Sequence, residues 1–222
     1  WRSDTLYSKA VFLSGGGHMD NARKIMSEAI AVDPNSAMLH HTLGSMWLDT
    51  NPRAALSHLE EARRLDPWQI PNLLLCCEAY ARLGDLPAWK GALEVLTVME
   101  PEKRAWRNDL GAVAVKLGDL DTAERVFRGI VAEARWIPAA HYNLANVLAA
   151  RGKDDEALLE YNAAVVLLPR SPGARMGKAS MMERKGWHRE AFREYLVSLC
   201  RQPCPSGLGL LQESVPAGKG QS

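Results

Sequence analysis

The chain has 222 residues, 27 Lys and Arg against 26 Asp and Glu, and a formal net charge of +1. It therefore lacks the broad basic or acidic field of a nucleic-acid or membrane-surface binder. Hydrophobic residues make up 47% of it, yet no apolar run reaches the roughly 18 residues that read as a membrane span, and the longest, around Leu73 to Cys77 and Ala163 to Leu168, fit helix interiors. No membrane insertion is expected.

In chain order, six segments each read as two amphipathic helical patterns joined by a turn and closed by a stop. The first, about 3–34, carries Ala10, Leu13, Gly17, Ala22, Met26, Ala29 and Pro34, with Lys9 where the others favour Leu. Gly15, Gly16 and Gly17 follow no strand pattern and precede no Lys-Ser/Thr pair, so they read as the turn between two helices rather than a phosphate loop. The second, about 36–67, has Leu43, Gly44, Trp47, Ala55, Leu59, Ala62 and Pro67, and Pro52 is placed to open its second helix, where a missing N–H costs nothing. The third, about 70–101, keeps Leu73, Tyr80, Gly84, Leu93, Leu96 and Pro101, but has Cys76 and Cys77 in its middle and Trp89 at a site where the others have Ala.

The fourth segment, about 104–137, shows Leu110, Gly111, Ala114, Gly118, Ala123, Phe127 and Ile130, with Arg135 in place of the closing Pro. The fifth, 138–169, is the clearest. Tyr142, Leu144, Ala145 and Leu148 are followed by Gly152, then Ala157, Leu158, Tyr161, Ala164 and Pro169. Small residues at Ala145, Ala157 and Ala164 let two helices approach, and Leu144, Leu148 and Tyr161 fill the seam. The sixth, about 172–203, matches at Ala179, Met182, Gly186, Ala191, Tyr195 and Pro203. A bundle with chance periodicity is the competing reading; recurrence in register six times disfavours it.

This spacing resembles the tetratricopeptide repeat, whose period is about 34 residues. The resemblance covers about 3–205 and implies an all-α fold, a right-handed superhelical solenoid of antiparallel helix pairs, with 206–222 as a flexible or weakly capping tail. The start at Trp1 rather than Met, with no secretion-signal pattern, reads as a processed or excised piece.

Catalytic chemistry is not evident. The histidines at 18, 40, 41, 58, 141 and 188 show no metalloprotease spacing and read as surface or seam residues. Asp154, Asp155 and Glu156 open a helix, where negative charge is favoured. Cys200 and Cys204 make at most half a zinc site, and Cys76 and Cys77, adjacent on one helix, point apart. No catalytic residue, metal or cofactor is expected, and the few cysteines fit a reducing, intracellular compartment.

Function must then come from surface. The resemblance implies that the second, fifth, ninth, twelfth and thirteenth places of each repeat line a concave groove for a partner peptide or helix. The candidates are Arg82, Asn108, Lys116, Tyr142, Asn146 and Arg184. Amide side chains can pair with a peptide backbone, and Tyr142 adds an apolar wall with a polar tip. Relatives that grip a chaperone's terminal carboxylate use Lys and Asn on successive first helices. Asn108, Ala112, Gly173 and Gly177 stand at the matching places here, so that use is not expected.

A second candidate surface is the last helix. Phe192, Leu196 and Leu199 fall on one face, and Leu196 takes a place held by Glu60, Glu94, Arg128 and Asn162 in earlier segments. Leu208, Leu210 and Leu211, set among glycines, would cover it weakly. A partner or self-association is expected there. The reading is a non-catalytic interaction scaffold; the alternative is a regulatory or targeting module of a larger enzyme whose catalytic domain lies outside this chain.

Overall fold

A computed structural model describes residues 2–199, and those residues form helices joined by short turns, with no strand. The twelve helices among the described residues are α1 (Arg2–Gly15), α2 (Met19–Val32), α3 (Ala37–Trp47), α4 (Pro52–Leu65), α5 (Ile70–Leu83), α6 (Leu86–Met99), α7 (Arg104–Lys116), α8 (Leu120–Glu133), α9 (Pro138–Ala150), α10 (Asp154–Leu167), α11 (Pro172–Arg184) and α12 (His188–Leu199). They fit six helix pairs. The tail expected at 206–222, with Cys200 and Cys204, lies outside the described residues.

Local chemistry sets the ends of these helices. Gly17, Gly84, Gly118, Gly152 and Gly186 turn the chain between paired helices at φ of 72° to 80°, a left-handed conformation that glycine adopts without a Cβ clash. The second pair lacks this glycine. There Asn51 accepts from the Ala54 N–H at 3.1 Å and Pro52 opens α4, as the sequence suggested. Asp85 caps α6 in the same way through Ala88, at 3.1 Å.

The chain divides into two compact units, Trp1–Val126 and Phe127–Ser222, the boundary falling inside α8. In the first unit, consecutive helices from α1 to α7 pack in sequence. One cluster joins Ala10, Ala22, Met26 and Ala29 to Leu39, Leu43 and Met46. Gly44 brings α3 against α4 so closely that a Cβ there would lie 2.7 Å from Leu59. In the second unit, α10 packs on both α9 and α11, and α12 packs on α11. Ala164, Val165 and Ala174 form its seam with Tyr142 against them.

A polar tie recurs at the fourth residue of the first helix in several pairs. His40 Nε2 lies 3.2 Å from the Pro34 carbonyl oxygen, His141 Nε2 lies 3.0 Å from that of Arg135, and Arg175 Nε donates to that of Pro169 at 2.8 Å. Each reaches back to the turn that precedes its helix. The other side of each group meets the paired helix: His58 Nδ1 at 3.4 Å, Glu160 at 2.6 Å and Glu194 at 2.6 Å. Thus the carbonyl of Arg135, which replaces the closing proline, is held just as a proline carbonyl is.

Candidate functional site

The candidate residues sit at the fifth, ninth and thirteenth places of first helices, a spacing that lines one helix face. Within the first unit that face includes His41 and Ser45 on α3, Glu78 and Arg82 on α5, and Asn108, Ala112 and Lys116 on α7. Within the second it includes Tyr142 and Asn146 on α9, and Met176, Ser180 and Arg184 on α11. The eighth residues of α3, α5, α7, α9 and α11, Gly44, Cys77, Gly111, Ala145 and Ala179, are all buried, as is Ala10 on α1, whereas no ninth or thirteenth place from α3 onward is. The face is left open by the packing itself.

The charged members of this face already have partners within the chain. Arg82 donates to the Leu48 carbonyl at 3.1 Å, to Asp49 at 2.8 Å and to Glu78 at 2.6 Å. Its guanidinium pKa is raised by the hydrogen bonds to Asp49 and Glu78. Arg184 repeats the device in the second unit: it reaches the Ala149 carbonyl at 3.4 Å and lies 3.0 Å from Asp154. Leu48 and Ala149 occupy the same place near the ends of α3 and α9, where helix carbonyls lack intrahelical partners. Lys116 lies 5.9 Å from the centre of the Trp89 ring, a cation–π contact. That role for Arg82 and Arg184 was not foreseen from sequence. The signal was available in Asp49 and Asp154, acids close to the turn that follows the preceding first helix.

The uncharged members divide differently. Asn108 is exposed and hydrogen bonds to its neighbour Asp109, whose own carboxyl is raised chiefly by burial. Asn146 accepts from the Tyr161 hydroxyl at 2.6 Å, so its amide N–H₂ is the end it would offer a partner. Burial pushes the Tyr161 hydroxyl up to about 12, which keeps it a donor. Tyr142 is half-buried in the α9–α11 seam, its ring centre 6.2 Å from that of Tyr161. A Cβ at Gly173 would lie 3.3 Å from its hydroxyl.

On α12, Phe192, Leu196 and Leu199 are 62%, 47% and 76% exposed. The residues at the places of Phe192 and Leu199 in the preceding pair, Leu158 and Val165, are buried. Leu208, Leu210 and Leu211 lie outside the described residues.

Cys76 and Cys77 are buried, and that burial raises their thiols to about 11 and about 12. Both are thiols rather than nucleophilic thiolates at neutral pH. Among the described residues no three His, Cys, Asp or Glu side chains gather as metal ligands do. Among the same residues no helix is long and apolar enough to cross a membrane.

The model of the tetratricopeptide repeat matches residues 108–175. No curated protein matches the chain significantly. Solved structures with a similar fold include MamA 41-end from Desulfovibrio magneticus RS-1, at 23% identity over 73% of this chain and 92% of that one, with a TM-score of 0.63. YrrB, described as a TPR protein with an unusual peptide-binding site, aligns at 20% identity over 78% of this chain and 90% of its own, with a TM-score of 0.63. The Naa15/Naa10 structure bound to HypK-THB aligns at 20% identity and a TM-score of 0.75, covering 87% of this chain but 31% of that one. At such identities these likenesses establish the fold. Residues 108–175 thus match the tetratricopeptide repeat, and the six helix pairs, five of them turned by a left-handed glycine, share the fold of solved tetratricopeptide repeat proteins.

Proposed function

We propose that the chain is a non-catalytic interaction scaffold that holds a peptide or helix of a protein partner along the open face of its first helices. The observation that carries this reading is the burial pattern: from α3 onward the eighth places of the first helices are buried while the ninth and thirteenth places stay open. A fold that needed those residues only for packing would bury them. YrrB and the HypK-bound structure, which share this fold, are described as binding a peptide and a protein. In the first unit Asn108 supplies backbone pairing and Lys116 charge, and in the second Asn146 supplies backbone pairing and Tyr142 apolar contact. Arg82 and Arg184 shape the face through their bonds to neighbouring helix ends.

The test uses substitutions that block the face without touching a seam. Ala112→Arg with Lys116→Glu fills the open face of α7, and Ser180→Arg does the same on α11. Leu159→Arg, on an exposed part of α10, is the control. Partner retention from lysate, read by mass spectrometry, should fall at least about tenfold for the first two variants, a loss of about 1.4 kcal/mol, and stay unchanged for the control. Retention of the same partner by all three variants, with helicity intact, would overturn the proposal.

A further inference from the structure

A second open surface lies away from the first-helix face. In the first unit, Glu60, Arg63 and Arg64 on α4, Pro67 and Trp68 in the following turn, Leu73 on α5 and Val95 on α6 line a groove of about 470 Å³. Leu73 and Val95 make an apolar floor. Trp68 stands beside it 72% exposed, and an indole left in water is a common anchor of protein interfaces.

The charges in this groove are unequal in their availability. Glu60 stays exposed, with one carboxylate oxygen accepting from the Tyr80 hydroxyl at 2.8 Å. Arg64 is fixed by two hydrogen bonds to Glu61, at 2.9 Å and 2.6 Å, and still presents its remaining N–H groups. Arg63 has no hydrogen bond or ion pair among the described residues. The rim therefore offers the guanidinium of Arg63 and the remaining N–H donors of Arg64 beside an apolar floor and an exposed indole.

The same composition recurs independently in the second unit. A groove of about 350 Å³ is lined by Arg128, Val131, Ala132 and Arg135, with His141, Leu144 and Glu160. Glu160 is also held within the chain, 2.6 Å from His141 Nδ1. Trp136, next to Arg135, is 66% exposed and occupies the same turn position after α8 that Trp68 occupies after α4. Two arginines, a glutamate hydrogen-bonded within the chain and an exposed tryptophan at the same turn thus occur at both grooves, with Arg128 ion-paired to Glu156.

We propose that the Trp68 groove is a second docking surface whose occupant is an acidic peptide segment carrying an apolar side chain. Carboxylates would pair with Arg63 and Arg64, whose forked guanidinium suits them. The apolar side chain would lie on Leu73 and Val95 under Trp68. This surface is separate from the first-helix face and does not depend on it.

The experiment uses the full chain and two labelled synthetic peptides, one alternating Glu and Leu, the other Lys and Leu, read by fluorescence anisotropy. The Glu-Leu peptide should bind the wild-type chain at least about tenfold more tightly than the Lys-Leu peptide. Trp68→Ala and Arg63→Glu should each weaken it about tenfold with helicity unchanged, while Ala112→Arg should leave it unaffected. No binding of the Glu-Leu peptide, equal binding of both peptides, or loss on Ala112→Arg but not on Trp68→Ala would overturn the proposal. So would preferential binding of the chain, dependent on Trp68, to phosphatidylserine vesicles rather than to the peptide.

Discussion

Gly177 shows how the absence of one side chain sets a seam. A Cβ there would lie 2.3 Å from Tyr161 Cε1, so Gly177→Ala forces the ring that bonds Asn146 to move. Overpacking of this kind costs about 1 to 3 kcal/mol, and the urea midpoint should fall accordingly. Gly91, inside α6, is the contrast: nothing lies within 4 Å of its Cβ position, and Gly91→Ala should stabilise the chain by about 0.5 to 1 kcal/mol through helix propensity. A destabilised Gly91→Ala with a neutral Gly177→Ala would refute this account of both residues. From sequence, Gly177 was legible only as a missing cation. Its contact with Tyr161, on another helix, is visible only once α10 and α11 are packed.

At the scale of the element, the tie from the first helix to the preceding turn joins a turn, a first helix and a second helix through one polar group. In the second pair this group faces another imidazole, since His40 and His58 lie 3.4 Å apart through their Nδ1 atoms. The His58 pKa is depressed, first by burial and then by His40. The unfolded chain therefore binds a proton at His58 more readily than the folded chain does. Its unfavourable effect is absent above the unfolded value of about 6.5 and grows as pH falls below it toward the folded value. Urea midpoints compared at about pH 7.5 and about pH 5 should drop more for the wild type than for His58→Gln. An equal drop in both would show that the pair does not sense pH. The sequence placed these histidines only as surface or seam residues, because a helical period cannot say which residue of a distant helix comes opposite.

At the scale of the whole molecule, repeat stability is a sum over neighbours. Within the second unit, α10 packs on α9 and α11, while α12 packs on α11 and leaves Phe192, Leu196 and Leu199 open. Burying three such side chains would contribute several kcal/mol at about 25 cal/mol per Å² of apolar area. Backbone amides of α12 should therefore exchange hydrogen faster than those of α10. Protection of α12 equal to that of α10 would show that this face is covered in solution, by a partner, by a second copy or by residues 200–222. Dilution would separate the second copy from the others, since self-association depends on concentration.

The sequence by itself determined the helices, their pairing and their turns. Those features depend on groups within a few residues of one another: glycine at a left-handed position, Asn51 and Asp85 as caps, small residues at the eighth places. The same spacing recurs along the chain, yet it did not separate Tyr142, which packs in a seam, from the open places beside it. Only the tertiary structure decided how open places are used. Arg82 and Arg184 bond the ends of neighbouring first helices, Asn146 receives a tyrosine hydroxyl, and Glu60 and Glu160 meet Tyr80 and His141 while Arg63 is left at the rim of a groove. Each of these depends on a partner on another helix, and a charged side chain is engaged or available according to what packing brings within hydrogen-bond reach.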